Sequence, residues 1–176
     1  MDWMNMIGGL AQQLTGGAAP PLGQMEQHYD QMSQTTPTSA IANGLAAAFR
    51  SDQTPAFAQM AAQLFGASNG SQQASLLNTL LATAGPALLS GALTSGKMPG
   101  LSSLLGGGGA RELTPAEVAQ VPAEEIQHLA DHVEKHDPSI VDRVSEIYAQ
   151  HPGVVKSLGG AALAIALAKI AQSTQR

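Results

Sequence analysis

Three histidines recur every four residues in the last third of the chain, His128, His132 and His136, with Glu125 just ahead of them. On a helix, where each residue advances by about 100°, a four-residue step drifts by only about 40°, so these side chains form one ridge. Two imidazoles spaced i, i+4 can share a metal ion, and Glu125 or Asp131 can join them. The chemistry implied is binding of a divalent metal at Glu125, His128, His132 and His136. The apolar stripe of the same helix is Ile126, Leu129 and Val133, so the ridge runs along its rim and solvent side. The competing reading is a polar helix face that uses histidine and changes charge with pH. The pattern is not the metalloprotease motif, because Leu129, not glutamate, follows the first histidine.

Other chemistries find no residues. There is no cysteine, which removes disulfides, cysteine–zinc sites and thiol catalysis and suits the cytoplasm. Gly66-Ala67-Ser68-Asn69-Gly70 spells Gly-X-Ser-X-Gly, but the run closes a helix instead of following a strand, so it is not a nucleophile elbow. The run Gly106 to Gly109 is not a phosphate loop, since no Gly-Lys-Ser/Thr follows it. Glu124 and Glu125 are adjacent carboxylates, but neighbours on a helix point apart, and acids at a helix start complement its dipole. No set of side chains fills the roles of nucleophile, base and charge stabiliser, so the expectation is a protein that is not an enzyme and has no organic cofactor. Net charge is −5, and the eight lysines and arginines are scattered, which argues against nucleic acid.

The ridge needs a helix, and the surrounding sequence supplies one. Thr114-Pro115-Ala116-Glu117 is a capping box with proline at the first helical position. Pro122-Ala123-Glu124-Glu125 opens a longer helix through about His136. Asp137-Pro138 caps a third, with Ile140, Val141, Val144, Ile147 and Tyr148 in helical period. From Pro152 to Gln172 the chain reads as one final helix, uncharged from Ser157 to Ala168 and apolar all round, so something must cover it. Its small residues, Gly159, Gly160, Ala161, Ala162, Ala164, Ala166 and Ala168, permit close helix approach.

The amino-terminal part has a different character. Residues 2–15 suit a short amphipathic helix with Trp3, Ile7 and Leu10 on one side, and the start of the chain is acidic rather than basic, unlike a secretory signal. Met25, His28, Tyr29 and Met32 fall at helical spacing. Thr36-Pro37 and Thr54-Pro55 each look like an N-cap followed by a first-turn proline. The helices they introduce carry Ile41, Leu45, Ala48 and Phe49, then Phe57, Met60, Ala61, Leu64 and Phe65. Ser71 is placed to cap a further helix with Leu76, Leu77, Leu80 and Leu81, which breaks at Gly85-Pro86. Residues 53–96 contain no Asp, Glu, Lys or Arg, which is unusual for a soluble surface. Glycine dominates from 106 to 109, and 97–110 reads as a flexible linker.

Two regions carry a resemblance. One is Ala47 to Gly66, AAFRSDQTPAFAQMAAQLFG. The other comprises Asp137-Pro138-Ser139-Ile140-Val141-Asp142, Tyr148 to Pro152, and Leu158 to Ala168. Together they resemble uncharacterised alanine- and glycine-rich bacterial proteins, loosely of the YidB type. The resemblance spans most of residues 25–172 and implies a bacterial source and a helical fold. It implies no activity and assigns no functional residue.

The expectation is an all-α protein of small helical bundles: an amphipathic tail (1–22), an uncharged module (23–96), a glycine-rich linker (97–110) and a C-terminal module (111–176). Its function is expected to be non-catalytic, as an interaction or scaffold protein that self-associates or binds a protein partner. The residues expected at that interface are Phe57, Leu64, Phe65, Leu77, Leu80, Leu158, Leu163, Ile165 and Leu167. Two alternatives stand beside it: association with a membrane through 74–95 and 153–171, which would place the protein at the inner membrane, and metal binding on the histidine ridge.

Overall fold

In the computed structural model, which describes residues 21–106 and 111–174, the chain is all-α and has no strand among those residues. The helices are α1 (Leu22–Thr35), α2 (Thr38–Phe49), α3 (Phe57–Ala67), α4 (Gly70–Thr94), α5 (Pro99–Leu105), α6 (Pro115–Val118), α7 (Ala123–His136), α8 (Ile140–Ala149), α9 (Pro152–Val155) and α10 (Gly160–Thr174). A 3₁₀ turn, Lys156–Leu158, joins the last two. The amphipathic tail expected over 1–22 falls almost wholly outside the described residues.

The most extensive helix contacts all cross the glycine run: α2 with α10, α3 with α7, and α2 with α8. The stretches 23–96 and 111–172 therefore meet in one apolar core rather than two. Helix α2 is enclosed over most of its surface. Ile41, Ala42, Gly44, Leu45, Ala46, Ala48 and Phe49 are all buried, because α10 and α8 flank it. Small residues allow that placement: a Cβ on Gly44 would lie 2.8 Å from the Ala166 carbonyl oxygen, so α2 and α10 are in backbone contact there. Phe49 and Phe57 pack edge to face at 5.5 Å and fill the α2–α3 corner.

Several local readings need correction. Thr54 does not cap α3. Its hydroxyl donates to the carbonyls of Ala48 (2.6 Å) and Ser51 (3.0 Å), closing the end of α2 instead. Likewise Thr36 lies outside α2, which starts after Pro37 with no side-chain cap. Asn69, not Ser71, caps α4, in a capping box with Gln72. The final helix is broken: Gly159 adopts φ 87°, a left-handed conformation that suits glycine, so α9 and the 3₁₀ turn are separate from α10. Lys97 to Leu105, expected as linker, contains α5, whose Leu101 and Leu105 are buried; residues 107–110 lie outside the described residues. The capping box at Thr114 and Glu117 and the break at Gly85 (φ 69°) stand where the sequence puts them.

Candidate interaction surface

The residues expected to make an interface line the core instead. Phe57, Leu64, Phe65, Leu77, Leu80, Leu158, Leu163 and Leu167 are buried within the single chain, and Ile165 is half-buried. Each of their helices is strongly apolar alone, but α3 lies on α7 and α10 lies on α2, so the chain covers its own stripes. Any association must use what those helices turn outward.

On α7 the ridge divides. Glu125 is buried, with 5 % exposure. Its carboxylate accepts the backbone N–H groups of Gly100 (2.9 Å) and Leu101 (2.8 Å). Helix α5 begins Pro99-Gly100-Leu101 and has no side-chain cap of its own, since Met98 precedes it. Glu125 supplies that cap from another helix, where the amide groups and the helix dipole both favour a carboxylate. It is therefore removed from the expected metal set, for the physical reason that its oxygens are already engaged. His128 and His136 are exposed and His132 is half-buried. Among the described residues, no group of three or more His, Asp or Glu side chains is gathered to hold one ion.

Charged side chains mark out the part of the surface that is not neutral. Arg50 donates two hydrogen bonds to Asp142, at 2.8 and 2.7 Å, tying α2 to α8. Those bonds hold the Asp142 carboxyl below its ordinary value, with burial opposing. Lys156 pairs with Asp30 at 2.6 Å. Arg111 pairs with Glu117, and together with Thr114 it draws the Glu117 carboxyl down to about 2. Glu134 is raised, by burial first and by the nearby Asp131 second.

The outward side of α3 and α4 has none of this. Its exposed positions include Gln59, Gln63, Ser71, Ser75, Ala82 and Ser90. Between α3 and α7 runs a shallow groove of about 390 Å³ lined by Pro55, Gln59, Ala62, Gln63, Ala123 and Gln127. Three primary amides in a groove with no charge offer donors and acceptors together, but no nucleophile and no group that titrates near neutrality. Such a lining can hydrogen-bond a polar surface; it cannot move a proton. The sequence reading missed the groove because it followed apolar spacing; Gln59 and Gln63, four apart on the polar side of α3, were the available signal. Comparison with protein-family models, with curated proteins and with solved structures finds no match to this chain.

Proposed function

We propose that this is a non-catalytic helical interaction or scaffold protein that self-associates, with a second copy docking on the uncharged outer face of α3 and α4 and the amide-lined groove beside α7. The observation that carries the reading is the absence of Asp, Glu, Lys and Arg from 53 to 96. Two copies each bearing a net charge of −5 repel, and they approach best through the face that bears none of it. A glutamine amide is also self-complementary, donor to acceptor, which suits a two-fold contact in which one patch meets itself. On this reading the protein has a structural task in the bacterial cytoplasm and needs no cofactor. Light scattering coupled to size exclusion, run on untagged protein over a range of concentrations, tests it. A defined mass above one chain is expected; a single-chain mass throughout would contradict it.

A second reading rests on α4. Its apolar window has a mean hydropathy of 1.4, and about a third of that window is buried by the rest of the chain. On this reading the protein associates with a membrane through α4, joined by the α9–α10 segment. Flotation with vesicles in a density gradient separates the two: association gives a floating fraction, whereas a scaffold in the cytoplasm stays at the bottom.

A further inference from the structure

We propose that His132 and His136 form a two-ligand chelate for a late first-row divalent cation, Zn²⁺, Ni²⁺ or Cu²⁺. The ring centroids lie 5.0 Å apart with planes inclined by 35°. A metal–nitrogen bond of about 2.1 Å, added to about 1.2 Å from ring nitrogen to ring centre, sets each centroid about 3.3 Å from a shared ion. Two such arms closing on a 5.0 Å separation subtend about 100° at the metal. That lies between the square-planar and tetrahedral angles, the geometries that Cu²⁺, Ni²⁺ and Zn²⁺ adopt with imidazole. The two rings are thus already spaced as a chelating pair is, before any ion is bound.

The setting also favours a cation. Both residues stand in the last turn and a half of α7, which ends at His136, where the helix dipole attracts positive charge. Asp131, Glu134 and Asp137 lie close by in the chain, and the one lysine on the helix, Lys135, is held by Asp131 at 2.7 Å. His136 is exposed and His132 half-buried, so an ion reaches both from solvent. Glu125 is engaged at the start of α5, and among the described residues no third His, Asp or Glu completes the set. The site therefore offers two protein ligands, and water holds the remaining positions. This site is independent of the association surface.

The test is calorimetric titration of untagged full-length protein with NiCl₂, in a non-coordinating buffer above the imidazole range, repeated with CuCl₂. One ion per chain is expected. Loss of either ligand should weaken binding by about tenfold or more, at least as much as the loss of a supporting outer-shell partner does. His136→Ala, at an exposed position, carries that arm, with His132→Ala and His132→Gln beside it and circular dichroism reporting helix content. His128→Ala and His151→Ala should bind as the parent does. Electron spin resonance of the Cu²⁺ form should show coupling to two nitrogens, reduced to one by His136→Ala. The absence of binding heat, uptake unchanged in His136→Ala, or uptake abolished by His128→Ala would each overturn the proposal.

Discussion

Replacing Gly44 with alanine probes the close contact between α2 and α10 on which the shared core depends. The new Cβ would stand 2.6 Å from Cγ1 of Ile170 and 2.8 Å from the Ala166 carbonyl oxygen. Ile170 is fully buried and the carbonyl belongs to the α10 backbone, so the strain cannot be relieved by swinging one flexible tip. Overpacking of this kind costs about 1–3 kcal/mol. Alanine in mid-helix recovers up to about 1 kcal/mol relative to glycine. With two contacts inside normal separation, the upper part of the range applies, and the net loss is about 1–2 kcal/mol. For a chain of this length that lowers Tm by about 2–8 °C. Gly91→Ala is the matched control. Gly91 is exposed, lies within α4, and a Cβ there meets nothing within 4 Å. Only the propensity gain remains, about 0.5–1 kcal/mol of stabilisation. Urea titrations of the two variants should move in opposite directions. If Gly44→Ala shifts upward alongside Gly91→Ala, the backbone contact between α2 and α10 is wrong.

Three further outcomes follow from named contacts. Glu125→Ala strands the Gly100 and Leu101 amides and should cost about 2–3 kcal/mol, with hydrogen-exchange protection lost first over 99–105; protection unchanged there would refute the cap. Tyr148 and Tyr29 should differ as phenylalanine variants. Burial pushes the Tyr148 hydroxyl up to about 12, and it lies 3.0 Å from Ser68, so Tyr148→Phe should lose about 1 kcal/mol. The buried Tyr29 hydroxyl has no partner among the described residues, so Tyr29→Phe should be neutral or stabilising in the same denaturation assay. The Arg50–Asp142 pair is half-exposed, so a double-mutant cycle should return less than about 1 kcal/mol, falling with added salt. Because the folded carboxyl lies below its usual value of 3.8, that coupling is present at neutral pH and disappears as pH falls through the lowered value. A coupling that grew on acidification would contradict the assignment.

The fold class and most helix positions were legible because they depend on local signals. The capping box at Thr114 and Glu117, the break at Gly85-Pro86 and the apolar period of α8 each act within a few residues. What stayed hidden was set by contacts distant in sequence. An apolar stripe announces that it must be covered but not by what, so Phe57, Leu64 and Leu163 suit another copy as well as another helix of the same chain. Thr54 shows the same limit on a smaller scale: a threonine before proline can serve the helix behind it as readily as the one ahead, and here the Ala48 carbonyl takes its hydroxyl.

Glu125 is the instructive case in the candidate site. Its spacing from the histidines suggested a metal ligand and its place in the first turn of α7 suggested a helix-start acid; it stands in that first turn, but its oxygens are engaged elsewhere. It lies inside, bound to amides of a helix that begins after Met98 without a cap of its own. The uncapped Pro99-Gly100 start was a visible demand for an acceptor, but nothing local tied it to a residue 25 positions on. The pairing of Asn78 with the Leu113 backbone, through bonds of 3.1 and 2.8 Å, was hidden for the same reason.

The most direct test of the association surface is sedimentation equilibrium of the parent protein beside Gln59→Lys/Gln63→Lys, with Glu146→Lys as a control on the exposed side of α8. Lysines at the two glutamines put like charges face to face across a two-fold contact while leaving the core untouched. The expected result is an assembled parent and control and a double variant reduced to single chains. A parent that sediments as a single chain, or a double variant that assembles as the parent does, would contradict the account.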